Sequence, residues 1–219
     1  MSQAANPKRT PLFPLGKLYP IAGCGNHAHT LKLADEFLSG GASLIQVREK
    51  EMSDALLQRL LLEVKTLCRR FEALLIVNDR VDLALAAQAD GVHLGQDDLT
   101  VEAARRLMGP EALIGLSTHN RIQFKDAQSR PIDYLAIGPV FSSGTKPNAN
   151  PEVGLEAFRE MAQASCLPVV AIGGIDLERA RALWAAGADS VAVASDLANQ
   201  PFPSQRVVEY LKAAEEIES

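Results

Sequence analysis

A closed barrel of eight parallel strands, each followed by a helix, is the architecture this sequence predicts, and three observations lead to it. Eight short apolar runs recur along the chain: Leu18 to Ala22, Ser43 to Val47, Ala73 to Val77, Gly91 to Leu94, Leu113 to Leu116, Tyr134 to Ile137, Pro168 to Ile172 and Ser190 to Ala194. Most of these runs are continuous rather than alternating, as strands buried on both faces should be. Between them lie segments with apolar residues at helical spacing, such as Leu56, Leu57, Leu60, Leu61, Val64 and Leu67. Strand followed by helix, repeated eight times, predicts a (β/α)8 TIM barrel folded as a single domain. An open doubly wound sheet is the other solution, but it would show a glycine-rich dinucleotide turn after its first strand. That position reads Ala22-Gly23-Cys24-Gly25-Asn26-His27, which does not match.

The first fifteen residues, with several prolines and Lys8 and Arg9, read as an irregular segment, and the barrel occupies 16–219. Ser53, Thr100 and Asp176 stand where helix N-caps are expected. A weak internal echo relates Ala89-Asp90-Gly91-Val92-His93-Leu94 to Ala188-Asp189-Ser190-Val191-Ala192-Val193. In both, small residues at a helix end lead straight into a strand, as repeated units would require.

Bulk composition narrows the function. The 219 residues are 47% hydrophobic and 22% charged, ordinary for a globular enzyme, and the net charge of -5 argues against a nucleic-acid partner. No apolar stretch approaches the roughly 20 residues of a membrane span, so no membrane partner is expected. Met1 to Pro14 has no apolar core of the kind a secretory signal carries, and the three cysteines, Cys24, Cys68 and Cys166, are sparse and odd in number. Together these features suggest a cytoplasmic protein with reduced thiols. The sequence does not say how many subunits assemble, and a homo-oligomer is open to it.

In such a barrel the residues after each strand line one mouth, where the chemistry sits. The second strand runs into Gln46-Val47-Arg48-Glu49-Lys50, and side-chain alternation would point Gln46, Arg48 and Lys50 the same way. That face needs water or an anion, because buried unpaired charge is costly. The third strand ends in Asn78-Asp79-Arg80, the fourth in Gly95-Gln96-Asp97-Asp98, and the fifth in Ser117-Thr118-His119. The sixth runs into Gly138-Pro139-Val140-Phe141-Ser142-Ser143-Gly144-Thr145-Lys146, the seventh into Gly173-Gly174, and the eighth into Ala194-Ser195. Strand-starting positions, by contrast, read as mostly Ala, Leu and Val.

Asp79 and Asp98 could each cap a helix. Beside Arg48, Lys50 and Lys146 they also suit Mg2+, a hard cation that takes few carboxylates and keeps room for waters and phosphate oxygens. Gly173-Gly174 and Ser195 fall after the last two strands, where barrels often bind phosphate through backbone N–H groups. One mouth thus offers a metal–diphosphate corner and a separate monophosphate corner. His27 and His29 lack the companions of a zinc site, and His93, inside a strand, reads as a satisfied interior histidine. No nucleophilic triad is apparent.

In this order the motifs resemble the thiamine phosphate synthase family, also called thiamine-phosphate pyrophosphorylase, from about residue 40 to 195. They are Gln46-Val47-Arg48-Glu49-Lys50, Val77-Asn78-Asp79-Arg80, Gly91 to Asp98, Ser117-Thr118-His119, Gly138 to Phe141 with Thr145-Lys146, and Ala171 to Ile175. The resemblance implies an enzyme that joins a hydroxymethylpyrimidine diphosphate to a hydroxyethylthiazole phosphate, plain or carboxylated, and releases pyrophosphate. It implies that Gln46, Arg48, Lys50, Asn78, Ser117 and Lys146 bind the pyrimidine diphosphate. It also implies that Asp79 and Asp98 hold Mg2+, and that Ser143, Thr145, Gly174, Ala194 and Ser195 bind the thiazole phosphate. Of these, Arg48, Lys50, Ser117 and Lys146 would assist the chemical step. A thiazole tautomerase on the same fold, with His119 as its acid or base, and a non-catalytic phosphate-binding barrel are the alternatives. This chain has Ser143 where the family often has threonine and Ala194 where it often has a larger aliphatic residue. It also has Asp196 beside the phosphate corner, where a carboxylate would repel an anion unless it turns outward.

Overall fold

A computed structural model of the chain describes residues 16–23, 25–142 and 151–218. Eight parallel strands close into a barrel in sequential order: β1 Leu18–Ala22, β2 Leu44–Val47, β3 Leu74–Asn78, β4 Gly91–Leu94, β5 Leu113–Thr118, β6 Tyr134–Ile137, β7 Val169–Ile172 and β8 Ser190–Val193. Around them run α1 His27–Ser39, α2 Asp54–Arg70, α3 Val81–Ala86, α4 Val101–Met108, α5 Arg121–Ala127, α6 Leu155–Ala164, α7 Leu177–Ala185, α8 Ser195–Ala198 and α9 Pro203–Glu218. The predicted barrel is the observed one, and each predicted strand lies within two residues of its observed bounds.

The continuous apolar runs have a direct physical cause, because each strand faces two cores. Leu18, Ala22, Ile45, Val47, Leu75, Val77, Val92, Ile114 and Leu135 pack outward against the helices. Tyr19, Ile21, Leu44, Ile76, Tyr134, Ala136, Val170 and Ala192 fill the barrel interior. Neither face meets water, so neither alternates with polar residues. Thr100 and Asp176 cap α4 and α7 as expected, accepting from Ala103 N–H at 3.3 Å and Arg179 N–H at 2.9 Å. Ser53 occupies the cap position of α2 without a side-chain cap bond.

Gly115 makes room for the largest interior ring. A Cβ at this position would lie 2.1 Å from Tyr134 Cζ and 2.4 Å from its hydroxyl oxygen. Gly115→Ala is therefore expected to destabilise the barrel by about 1–3 kcal/mol through overpacking, measurable as a lowered urea midpoint with an unchanged slope.

The strand-starting end, read from the sequence as mostly Ala, Leu and Val, also carries a set of charged residues. Aspartates stand just before β4, β6 and β8, and each accepts a backbone N–H from the preceding strand. Asp90 accepts from Leu75 at 2.7 Å, Asp133 from Ile114 at 2.7 Å, and Asp189 from Val169 at 2.8 Å. Asp90 also holds Lys65 at 2.6 Å, and Asp133 holds Arg105 at 2.5 Å. The internal echo at Asp90 and Asp189 is thus structural, a repeated rung at the floor of the barrel.

Candidate active site

The cationic corner begins where β2 stops, at Val47. Gln46 lies within the strand and turns into the barrel, 3% exposed. Arg48 and Lys50 follow the strand rather than extend it, so strand alternation alone does not place them. Arg48 keeps one further sheet bond, from its N–H to Ala22 O at 2.9 Å. Gly23 allows that close passage, since a Cβ there would lie 1.9 Å from Arg48 O. Lys50 is exposed and reaches Asp79 Oδ2 at 3.2 Å. Glu49 is occupied elsewhere, accepting from Gly25 N–H at 2.9 Å and from the Thr30 hydroxyl, and so ties the loop after β1 to the end of β2.

Asn78 ends β3, and Asp79 follows it in the left-handed region at φ 62, which aspartate tolerates better than most residues. Its N–H bonds to His93 O at 2.9 Å, which fixes the turn against β4. Arg80 then leaves the site, pairing with Asp54 at 2.6 Å and Asp82 at 2.7 Å, so it locks α2 to α3. Asp98 folds back so that its Oδ2 accepts from Gly95 N–H at 2.6 Å. Burial raises the proton affinity of the Asp98 carboxyl and the Gly95 bond lowers it, while the neighbouring Asp79 carboxylate raises it and Lys50 lowers it. Two like charges converging beside one lysine are chemically suited to a divalent cation. Among the described residues no cluster of three or more His, Cys, Asp or Glu could hold a metal. The protein would supply two carboxylates here and leave the remaining positions to water and phosphate oxygens, which is the usual Mg2+ pattern.

On β5, Ser117 Oγ lies 2.9 Å from His93 Nε2, and Gln96 Nε2 donates to Ser117 O at 2.6 Å. His119 is clamped, with Nδ1 at 2.5 Å from Gly138 O and its N–H donating to Gln123 Oε1 at 2.8 Å. That places the ring between β5 and β6. Gly173 and Gly174 sit at φ 105 and 60, where a Cβ would come within 2.5 Å of Pro139 Cβ and 2.4 Å of Ser142 O respectively. Gly174 is thus where the loop after β6 presses against the end of β7. Ala194 precedes α8, and both Ala194 and Ser195 are exposed. Asp196 turns away from them, accepting from Arg206 Nε at 2.9 Å and from the Tyr210 hydroxyl at 2.8 Å. That α9 pairing removes the expected repulsion. Ser143, Thr145 and Lys146 lie outside the described residues, as does Cys24. The Cys68 thiol is pushed up to about 12 by burial, which suits packing rather than nucleophilic chemistry.

The structure therefore brings Lys50, Asp79 and Asp98 together at the ends of β2, β3 and β4. Gly174, Ala194 and Ser195 lie at the ends of β7 and β8. A family model described as thiamine monophosphate synthase matches residues 18–197, from β1 through most of α8. The chain belongs to the thiamine monophosphate synthase family. A thiamine-phosphate synthase of Methanospirillum hungatei is 44% identical over 179 residues, covering 82% of this chain and 85% of that protein. A thiamine-phosphate synthase of Synechococcus is 49% identical over 170 residues, covering 77% of this chain and 47% of that protein. The chain thus spans about half the length of its Synechococcus relative. Among solved structures, a thiamine phosphate pyrophosphorylase from Pyrococcus furiosus superposes with a TM-score of 0.84 at 33% identity, over 93% of this chain and 97% of that one.

Two parts of the site were hidden in the sequence. Gln96 and His93 both support Ser117, one through its carbonyl and one through its hydroxyl. Only the odd presence of a histidine inside a strand hinted at this. The sequence also could not reveal that Asp196 has a cationic partner ten residues away on another helix.

Proposed function

We propose that this family member makes thiamine phosphate by joining a hydroxymethylpyrimidine diphosphate to a hydroxyethylthiazole phosphate with release of pyrophosphate. The observation that carries the reading is the convergence of Asp79, Asp98 and Lys50 at the mouth, on a barrel whose family model spans 18–197. Asp79 and Asp98 would hold Mg2+. Bound there, the metal supplies Lewis-acid neutralisation of diphosphate oxygens. Arg48, Lys50 and Lys146 add charge-assisted hydrogen bonds to the same group, and Gln46, Asn78 and Ser117 orient the pyrimidine diphosphate. The C–O bond between the pyrimidine methylene and the diphosphate breaks, its electron pair leaving with pyrophosphate. The thiazole nitrogen then donates its lone pair to the resulting carbocation. Such a reaction needs stabilisation of a leaving anion rather than a nucleophilic side chain, which fits the inert Cys68. Ser143, Thr145, Gly174, Ala194 and Ser195 would hold the thiazole phosphate.

The test combines purified protein, both phosphorylated substrates and Mg2+, and follows pyrophosphate and thiamine phosphate together. Equal yields of the two are expected, and the absence of both would overturn the reading. Lys146→Ala should lower kcat/KM by about 10–100-fold by removing one charge-assisted bond that strengthens as the diphosphate leaves. Initial rates with the pyrimidine diphosphate varied would show it.

A further inference from the structure

Five side chains form one unbroken line of hydrogen bonds across the barrel interior. Gln46 Nε2 donates to Tyr19 Oη at 3.0 Å, and the Tyr19 and Tyr134 hydroxyls are 2.8 Å apart. Tyr134 Oη lies 3.1 Å from His93 Nδ1, and His93 Nε2 lies 2.9 Å from Ser117 Oγ. The His93 and Tyr134 rings also stack, with centroids 5.6 Å apart. The line joins β2, β1, β6, β4 and β5, and both of its ends are candidate site residues.

Its donors and acceptors can be assigned in sequence. Burial holds both phenols in their neutral form. A neutral hydroxyl has one proton, so a phenol between two partners accepts from one and donates to the other. An amide nitrogen only donates. Gln46 therefore sets a direction: Tyr19 accepts from it and donates to Tyr134, and Tyr134 donates to His93 Nδ1. The ring proton then resides on Nε2 and is donated to Ser117 Oγ. Ser117 receives that bond and keeps its own proton for a different acceptor. In the opposite direction Ser117 would give its proton to His93 and offer only lone pairs, which repel an anion.

We propose that this buried relay holds His93 as its Nε2–H tautomer and thereby presents Ser117 as a hydrogen-bond donor to an anionic oxygen of the substrate. His93 and Tyr134 are positioning residues that act through Ser117. The tautomer stands on the relay alone, whereas the identity of the acceptor as a diphosphate oxygen rests on the proposed function.

Nitrogen-15 NMR of ring-labelled protein without substrate separates the two. His93→Gln identifies the His93 signals. The expected spectrum shows a pyridine-type Nδ1 and a pyrrole-type, protonated Nε2, and an Nδ1–H ring or a doubly protonated ring would overturn the proposal. Gln46→Glu places an acceptor at the far end of the relay and should invert the tautomer to Nδ1–H, and an unchanged ring would overturn the propagation. In turnover, Tyr134→Phe keeps the ring beside Gly115 but removes the donor to Nδ1. It should lower kcat about tenfold with less change in KM, the value of one hydrogen bond. Adding Ser117→Ala to Tyr134→Phe should cost less than Ser117→Ala alone, and full additivity would overturn the route through Ser117. If the protein made no thiamine phosphate, the NMR result would still decide the tautomer.

Discussion

Asp98→Ala is expected to lower the Mg2+-dependent rate on the order of a thousandfold or more while leaving the barrel folded, since losing one of two metal carboxylates removes several kcal/mol of charge stabilisation. The fold should survive because Asp98 sits in a half-exposed turn beyond β4, where it accepts from Gly95 N–H and meets Asp79. Pyrophosphate release measured against Mg2+ concentration, with a thermal melt alongside, separates the two effects. If the variant kept the wild-type Mg2+ dependence, Asp98 would not be a ligand. The sign of the pH effect follows from the raised proton affinity of Asp98. As pH falls through this elevated range, protons displace the metal, so Mg2+ affinity should weaken at a higher pH than for an ordinary aspartate. For the metal-free fold the same shift runs the other way: stability from this group is greatest at low pH and is lost as pH rises through its elevated value.

Asp90→Ala should be the most damaging single change at the opposite end of the barrel, costing about 3–5 kcal/mol by leaving a buried lysine unpaired. The Lys65 and Asp90 side chains are 11% and 27% exposed, and Lys65 Nζ lies 2.6 Å from both carboxylate oxygens. The Leu75 N–H loses its partner in the same change. Denaturant unfolding would measure the loss. Lys65→Met combined with Asp90→Asn should recover most of it, because the amide still accepts from Leu75 and no charge is stranded. Because the pair keeps the backbone bond and strands no charge, failure to recover stability would show that the Lys65–Asp90 ion pair itself carries the loss.

The barrel was legible because its strands are buried on both sides, which turns Val169 to Ile172 or Tyr134 to Ile137 into unbroken apolar runs that helices do not produce at that length. The meeting of Lys50 with Asp79 was legible because residues that follow parallel barrel strands share one rim. Alternation misled only beyond Val47, where the chain leaves the sheet and Lys50 is placed by its partner Asp79 instead. The interior relay was not legible. Tyr19 and Tyr134 read as packing, and what makes them polar is that strands far apart in sequence turn two hydroxyls toward each other. The floor aspartates were missed for a related reason: their role depends on a backbone N–H presented by the neighbouring strand.

Those floor rungs also describe how the barrel is divided. Asp90 stitches β3 to β4, Asp133 stitches β5 to β6, and Asp189 stitches β7 to β8. Before β2 the pattern differs: the Ser43 carbonyl accepts from Leu74 N–H of β3 at 3.0 Å, a bond to the following strand rather than the preceding one. Side-chain rungs therefore pin three strand pairs, on top of a backbone ladder that runs unbroken round the cylinder. A cut in the connection between β4 and β5 would leave every rung inside one fragment, whereas a cut between β5 and β6 would sever the Asp133 rung. A division of the chain that keeps these side-chain rungs intact thus falls between the stitched pairs.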